Sequence, residues 1–226
     1  ADRWRGAAAG GGSEALALIG RELCPKAAPI PADAYLSSYE LCREPPYVVQ
    51  VDEFLRLPGP GYHFSMSRVT EAKRQAWELI RHMRAEGRCE RLVCLSGNPA
   101  VGKSTWILSV GAGEEGSDST VFFDDLLNNR RRRGQWWDGF RQAGLEGLRV
   151  EIVVVTCSFE RAVASNAARG ARGGHTVPLH AMVRYDRESE LPSLSEGYAR
   201  LRVFENEYDA ETGEGGYVLR REEVAD

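Results

Sequence analysis

The chain has 226 residues, of which 42% are hydrophobic and 27% charged, and its formal net charge is −4. This composition supplies enough apolar side chains for a sizeable core and excludes a chain that is disordered throughout. A negative net charge excludes binding of nucleic acid over the whole surface, so such binding needs a local basic patch. The cysteines follow no metal-binding spacing, and neither a signal peptide nor a membrane-length apolar stretch is recognisable. We therefore expect a cytoplasmic protein with no membrane partner.

Prolines and glycines divide the beginning of the chain. Residues 1–45 are predicted to form an N-terminal extension, and residues 46–226 to form one domain. Residues 47–51 (Tyr-Val-Val-Gln-Val) are typical of a strand, and Asp52 lies just past its end. Apolar residues at helical spacing predict an amphipathic helix over residues 69–86.

The next segment matches the phosphate-loop pattern G-x-x-x-x-G-K-[ST], because residues 97–104 read Gly-Asn-Pro-Ala-Val-Gly-Lys-Ser. An apolar run at 91–95 predicts a buried strand before the loop, and residues 105–110 can begin a helix after it. Backbone N–H groups and the positive end of the helix dipole then converge on one point, which predicts binding of NTP phosphates. Lys103 would reach the β and γ oxygens, and Ser104 would ligate Mg²⁺. The predicted nucleotide-binding residues are Gly97, Asn98, Pro99, Ala100, Val101, Gly102, Lys103, Ser104 and Thr105.

Carboxylates at strand ends are the candidates for a catalytic base. A predicted strand at 121–123 ends in Asp124 and Asp125, and Asp52 is the rival candidate. Such a carboxylate can deprotonate an acceptor hydroxyl, and one at Asp124 can also hold Mg²⁺. Each aspartate can instead be a solvated strand-end or helix-capping residue.

Positive charge is concentrated in two places. Residues 130–133 are four arginines followed closely by Trp136 and Trp137, which suits a polyanionic acceptor or, equally, a solvated helix start with core tryptophans. Beyond a predicted strand at 150–155, the Gly- and Arg-rich segment suits a lid over about 166–185 that closes on the phosphates. The candidate lid and substrate contacts are Arg169 and Arg172 for the transferring phosphoryl group, and Arg56, Arg130, Arg133 and His175 for the acceptor.

Strands that alternate with helices predict an α/β fold of the P-loop NTPase kind, kinase-like, with a mostly parallel sheet and helices on both faces. Residues 202–205 and 217–220 predict a C-terminal hairpin. Ligands of such sheets bind at the carboxyl ends of the strands, where the phosphate loop and the three aspartates are expected to meet.

Three stretches resemble P-loop kinases of the polynucleotide 5′-hydroxyl kinase type, with zeta toxins as neighbours. Residues 97–106 resemble the kinase phosphate loop, residues 166–178 resemble the family's lid, and residues 191–198 (Leu-Pro-Ser-Leu-Ser-Glu-Gly-Tyr) are similar to the signature after the lid. The resemblance implies an ATP/Mg²⁺-dependent kinase that phosphorylates a 5′-hydroxyl. The Gly-Gly-His-x-Val-Pro motif of the lid also resembles that of zeta toxins. A small acceptor such as a nucleotide sugar therefore stays an alternative.

The chain departs from this family in the order of its units. In the family the base-bearing strand follows the phosphate loop, whereas here the unit that resembles it, around Asp52 and Arg56, precedes the loop. Either one unit is lost and Asp125 is the base, or the units are permuted and Asp52 is the base; we favour the permuted order. A right-handed crossover from an edge strand to a central strand allows it.

The sequence therefore predicts a kinase that transfers the γ-phosphate of ATP, or of GTP, with Mg²⁺, to the 5′-hydroxyl of a polynucleotide or a nucleotide-like acceptor. The first alternative is a zeta-like or antibiotic-type kinase with a small acceptor. The second is an NTP-hydrolysing switch, which needs no acceptor and does not need Asp52.

Overall fold

The computed structural model describes residues 45–55, 66–114, 117–171, 176–208 and 215–225. Within these residues the strands are β1 (Tyr47–Gln50), β2 (Arg91–Ser96), β3 (Thr120–Asp124), β4 (Arg149–Thr156), β5 (Arg200–Asn206) and β6 (Tyr217–Val224). They form one sheet in the order β1-β3-β2-β4-β5-β6. The first five strands are parallel, and β6 pairs with β5 antiparallel. The predicted mostly parallel sheet with a C-terminal hairpin is confirmed.

Helices cover both faces of the sheet, as predicted. They are α1 (Met66–Ala85), α2 (Lys103–Ser109), α3 (Arg130–Gln142), α4 (Phe159–Ala171) and α5 (Leu179–Arg187). Side chains of α1 and α3 share a core with one face of the sheet. Side chains of α2, α4 and α5 share a second core with the other face. The chain thus has an α/β fold with a mostly parallel sheet between two layers of helices, and the phosphate-loop sequence lies between β2 and α2. Among the helices that the structure describes, none combines the length and the apolar character needed to cross a membrane.

The amphipathic pattern of α1 explains its position. Its apolar face, made of Ala72, Ala76, Leu79, Ile80 and Met83, is fully buried against the sheet. Burying a side chain the size of leucine or isoleucine stabilises the fold by roughly 1.5–3 kcal/mol, so the helix is held mainly by this face. The helix begins three residues before the predicted start and ends one residue before the predicted end.

Helix α3 begins at Arg130, and this decides where its arginines and tryptophans lie. The Asn129 side chain accepts a hydrogen bond from the backbone N–H of Arg132, which caps the helix. The four arginines therefore form the first turn of the helix. Trp136 is buried and lies within 5.1 Å of the Trp77 ring, while Trp137 packs on it edge-on at 4.9 Å. The core interpretation of the two tryptophans is therefore the one that the structure supports.

Strand β1 precedes the phosphate-loop strand in sequence, yet it lies beyond β3 at the edge of the sheet. Gln50 of β1 is the register partner of Asp124 in β3, and Leu95 of β2 is the partner on the other side. The carboxyl ends of these three strands therefore lie side by side. Because these strands are parallel, the residues that follow β1 lie at the same end of the sheet as the phosphate loop, although the two segments are distant in sequence.

Candidate phosphate-transfer site

The phosphate loop connects the end of β2 to the first residue of α2. Gly97 and Gly102 have φ angles of 140° and 98°, conformations that favour glycine. A Cβ on Gly97 would collide with the backbone carbonyl oxygen of Val155 in β4. The loop thus needs glycine both for its turn and for its close approach to the neighbouring strand.

Lys103 lies across the mouth of this loop. Its ammonium group donates hydrogen bonds to the carbonyl oxygens of Gly97 at 3.2 Å and Asn98 at 3.3 Å. The same nitrogen is 3.9 Å from a carboxylate oxygen of Asp124. Lys103, the residue predicted to bind the phosphates, therefore lies at the centre of the loop, between the loop carbonyls and the carboxylate of Asp124.

Ser104 and Asp124 form the second contact of the site. The Ser104 hydroxyl donates to Asp124 Oδ2 at 2.7 Å. Burial raises the pKa of Asp124 above that of an ordinary aspartate, while the Lys103 charge and the Ser104 hydrogen bond oppose this rise. Hard oxygen donors of this kind are the ligands that Mg²⁺ prefers, and a cation would favour the buried carboxylate in its charged form. The pair fits the predicted magnesium site.

The two candidate bases lie in different environments. Asp52 is exposed at the end of β1, in the short 3₁₀ segment Val51–Leu55, and its charge contributes to the raised pKa of Asp124. Asp125 is 11% exposed and is 2.7 Å from the ammonium group of Lys73 on α1. Its other carboxylate oxygen accepts the backbone N–H of Leu126 at 2.7 Å. Asp52 is therefore a surface residue, whereas Asp125 is mostly buried and paired with Lys73 of α1.

Helix α5 contacts the phosphate loop through a chain of amides. The Asn98 side chain donates to Asp186 of α5 at 3.4 Å and accepts from Asn128 at 3.0 Å. Asn128 is 1% exposed and also donates to the carbonyl oxygen of Tyr185 at 2.9 Å. Only about 10 Å³ of free space remains where Asn98 and Pro99 face α4 and α5, room for about one water molecule. The predicted lid helices thus rest on the loop.

Of the predicted lid arginines, the structure describes Arg169. Its guanidinium donates to Asn166 at 3.2 Å, and Asn166 in turn makes two hydrogen bonds, each of 2.9 Å, with the backbone of Val177. This contact ties α4 to the residues before α5. Arg172 and His175, and likewise Arg56, lie outside the described residues.

The acceptor-side arginines separate into two groups. Arg130 and Arg131 are exposed at the start of α3. Arg133 is 1% exposed, and its guanidinium donates to both carboxylate oxygens of Glu196 at 2.7 and 3.0 Å. The other three N–H groups of the guanidinium donate to the carbonyl oxygens of Leu127, Glu190 and Leu191, so no donor is left for a substrate. Arg133 therefore has a structural role in place of the predicted substrate contact.

Several contacts at the site involve residues that the sequence pattern did not single out. They are Lys73 on α1, Asn128 after β3, Asp186 on α5, and Asn206 and Tyr217 of the hairpin. None carries a local motif. The hydrophobic patterns of their helices and strands show only that these residues lie next to buried ones. Tertiary contacts alone therefore identify them as part of the site.

No protein-family model matches the sequence, and no curated protein matches it. Solved structures of the AvrRxo1-ORF1:AvrRxo1-ORF2 complex are similar over about three quarters of the chain. The native complex is 14% identical, covers 76% of this chain and 71% of that chain, and has a TM-score of 0.43. The complex with sulphate ions is 15% identical, with coverages of 75% and 74% and a TM-score of 0.44. The complex with ATP is 14% identical, with coverages of 77% and 76% and a TM-score of 0.43. Likenesses this weak leave the function to be inferred from the site itself.

Proposed function

We propose that the protein is a kinase that transfers the γ-phosphoryl group of ATP, bound with Mg²⁺, to a hydroxyl group. One observation carries the proposal: two aspartates at the carboxyl end of the sheet, Asp124 beside the phosphate loop and Asp52 close enough to raise the pKa of Asp124, have different surroundings. Asp124 is held by Ser104, whereas Asp52 is exposed. A phosphoryl transferase needs one carboxylate that holds Mg²⁺, the role suited to Asp124, and another that acts as a general base, the role suited to Asp52. GTP is the alternative donor.

In this proposal the loop N–H groups and Lys103 bind the β- and γ-phosphates. Ser104 and Asp124 hold Mg²⁺, which supplies positive charge to the phosphate oxygens. Asp52 accepts the proton of the attacking hydroxyl. Arg169, with Arg172, stabilises the charge that develops on the transferring phosphoryl group.

The Lys73–Asp125 ion pair supports Asp52 over Asp125 as the base. Asp125 is 11% exposed and one of its carboxylate oxygens lies 2.7 Å from the Lys73 ammonium group, so little of this carboxylate is accessible to an acceptor hydroxyl, whereas Asp52 lies on the surface. The edge position of β1 beside β3 supports the permuted order of units, because it brings Asp52 to the same end of the sheet as Asp124. Asp125 then serves to position the end of β3.

For the acceptor we propose the 5′-hydroxyl of a polynucleotide or of a nucleotide-like molecule. Exposed Arg130 and Arg131 at the carboxyl edge of the sheet are suited to its phosphates. A small acceptor is the second candidate, because only part of the arginine run is available. Arg133 is buried, and Arg132 packs 4.9 Å from the centre of the Tyr185 ring.

The test supplies ATP labelled at the γ-phosphate together with 5′-hydroxyl oligonucleotides, nucleosides or nucleotide sugars. Label in an oligonucleotide supports the first acceptor, and label only in a small molecule supports the second. NTP hydrolysis without label in any acceptor would refute the kinase and favour the hydrolytic switch.

Two isosteric variants then identify the base. We expect Asp52→Asn to lower kcat by about 10²- to 10⁴-fold, the usual contribution of a general base. Asp125→Asn serves as the matched control and is expected to retain activity within about tenfold. Full activity in Asp52→Asn would show that Asp52 is not the base.

A further inference from the structure

The C-terminal hairpin reaches the phosphate loop from behind with two side-chain donors. Asn206, the last residue of β5, donates through Nδ2 to the carbonyl oxygen of Val101 at 2.9 Å. Tyr217, the first residue of β6, donates through its hydroxyl to the carbonyl oxygen of Gly102 at 2.7 Å. The two residues are register partners in the hairpin. Two consecutive peptide groups of the loop are therefore held by one rigid element.

These contacts fix the direction of two backbone N–H groups. In a planar trans peptide the C=O and the following N–H point in opposite directions. With the carbonyl of Val101 drawn toward the hairpin, the N–H of Gly102 points away from it. With the carbonyl of Gly102 drawn the same way, the N–H of Lys103 also points away. Both N–H groups thus turn toward the side of the loop where phosphates are expected to bind.

The packing around Gly102 leaves room for these two hydrogen bonds. A Cβ on Gly102 would lie 2.6 Å from Asn206 Nδ2 and 2.6 Å from the Tyr217 hydroxyl. Glycine therefore serves a second role besides its φ of 98°, because it leaves room for the two donors. The first N–H of α2 that bonds within the helix, that of Trp106, shares the Gly102 carbonyl at 2.9 Å.

Asn206 is itself held in place, and Tyr217 keeps its donor proton. Asn206 Oδ1 accepts the backbone N–H of Tyr208 at 3.0 Å, which leaves its Nδ2 directed at the loop. The Asn206 carbonyl accepts from Arg161 of α4 at 2.7 Å. Burial raises the pKa of Tyr217, so its hydroxyl keeps its proton and remains a donor at neutral pH.

We propose that Asn206 and Tyr217 are positioning residues of the phosphate site, which aim the N–H groups of Gly102 and Lys103 at the β-phosphate. The inference rests on the proposed function in one respect, since it assumes that a nucleotide occupies this loop. It adds a role for the hairpin, which otherwise serves only to complete the sheet. The expected consequence is that phosphate affinity depends on side chains more than 100 residues away in sequence.

The test uses isosteric variants that remove one donor each. Tyr217→Phe removes the hydroxyl, and Asn206→Asp replaces the donor by an acceptor while it keeps the contact with Tyr208. We expect Tyr217→Phe to weaken binding of Mg–ATP, and of inorganic tripolyphosphate, by about 3- to 10-fold, the range of one net hydrogen bond. Asn206→Asp is expected to weaken it by about 10- to 100-fold, because two acceptors then face each other. Isothermal titration calorimetry measures both.

Tyr208→Phe is the matched control, because Tyr208 lies on the same hairpin and is 47% exposed. It is expected to bind both probes as the unaltered protein does. Thermal unfolding separates positioning from a merely structural role: the affinity losses are expected at a temperature at which both donor variants remain fully folded. Unchanged affinity in both donor variants would overturn the inference.

A second measurement keeps the inference distinct from the proposed function. In the ¹⁵N-labelled protein without nucleotide, the amide resonances of Gly102 and Lys103 are expected to move in both donor variants and not in Tyr208→Phe. If the unaltered protein binds neither probe, the proposed function is refuted, and these resonances still decide whether the hairpin orients the loop. Resonances that stay in place in both variants would overturn the inference.

Discussion

A buried glutamate at the end of the sheet opposite the phosphate loop offers a quantitative test of the structure. Glu151 of β4 is fully buried. Four guanidinium groups lie 3.0–3.9 Å from its carboxylate oxygens; they belong to Arg91, Arg149, Arg200 and Arg202. Arg202 is 4% exposed, so its charge is balanced by Glu151 and Glu114 rather than by water. Glu151→Gln keeps the volume of the side chain and removes the charge.

The expected loss of stability follows from this geometry. Removing one partner of a buried ion pair costs about 3–5 kcal/mol, because the other charge stays buried. Three of the arginines are partly exposed, so we take the lower bound of about 3 kcal/mol. For a chain of this size each kcal/mol lowers Tm by roughly 2–4 °C, which gives a fall of roughly 6–12 °C.

Thermal and urea unfolding measure the effect, and Glu222→Gln is the control. Glu222 pairs with Arg200 at the surface, with 37% of its side chain exposed, and such pairs contribute at most about 1 kcal/mol. Nucleotide affinity should not change in Glu151→Gln, since the phosphate loop lies at the other end of the sheet. If Glu151→Gln loses no more stability than Glu222→Gln, the reasoning about burial is refuted.

Three further predictions concern the phosphate site. Because burial raises the pKa of Asp124, Mg–ATP binding should weaken as the pH falls through that raised value. The variant Asp124→Asn should bind Mg–ATP poorly, yet it should unfold at a higher temperature at neutral pH, because it removes a buried charge. A lower Tm in this variant would contradict the reasoning. Asp186→Asn should tighten ATP binding by about 2- to 5-fold at low salt, because Asp186 contacts Asn98 of the phosphate loop and its negative charge repels the phosphates of ATP. The gain should vanish at 1 M salt, and the exposed Asp138→Asn should show none. Gly102→Ala should abolish measurable binding of ATP, because its Cβ would collide with Asn206 and Tyr217. Gly134→Ala is the control, because a Cβ at this position would meet no atom within 4 Å. This control should bind ATP normally, and its free energy of unfolding should rise by about 0.5–1 kcal/mol.

Local sequence was sufficient for the phosphate loop and for the elements that flank it. The spacing of glycines, lysine and serine specifies a turn with positive φ and a helix start, both of which depend only on neighbouring residues. The 3.6-residue period of α1 likewise identifies its buried face. These features were predictable because backbone conformation and amphipathic period are local properties.

The charged residues of the interior were not predictable in the same way. Arg133 stands in a run of four arginines and differs from the others only because Glu196, 63 residues later, lies opposite it. Glu151 interrupts an apolar strand, and its burial is explained by arginines of the neighbouring strands β2 and β5 together with Arg149 of its own strand. Such pairings depend on which elements meet in space, and this information is absent from any short window of sequence.

The sequence by itself determined that a phosphate loop stands between a strand and a helix of an α/β domain, and that aspartates follow two strands. Only the tertiary structure decided that β1 lies next to β3, that Asp125 pairs with Lys73, and that Asn206 and Tyr217 support the loop. The physical reason is that strand order follows from burial of whole faces of the sheet. A motif reports the conformation of its own backbone, whereas the neighbours of that backbone are set by packing across the entire chain.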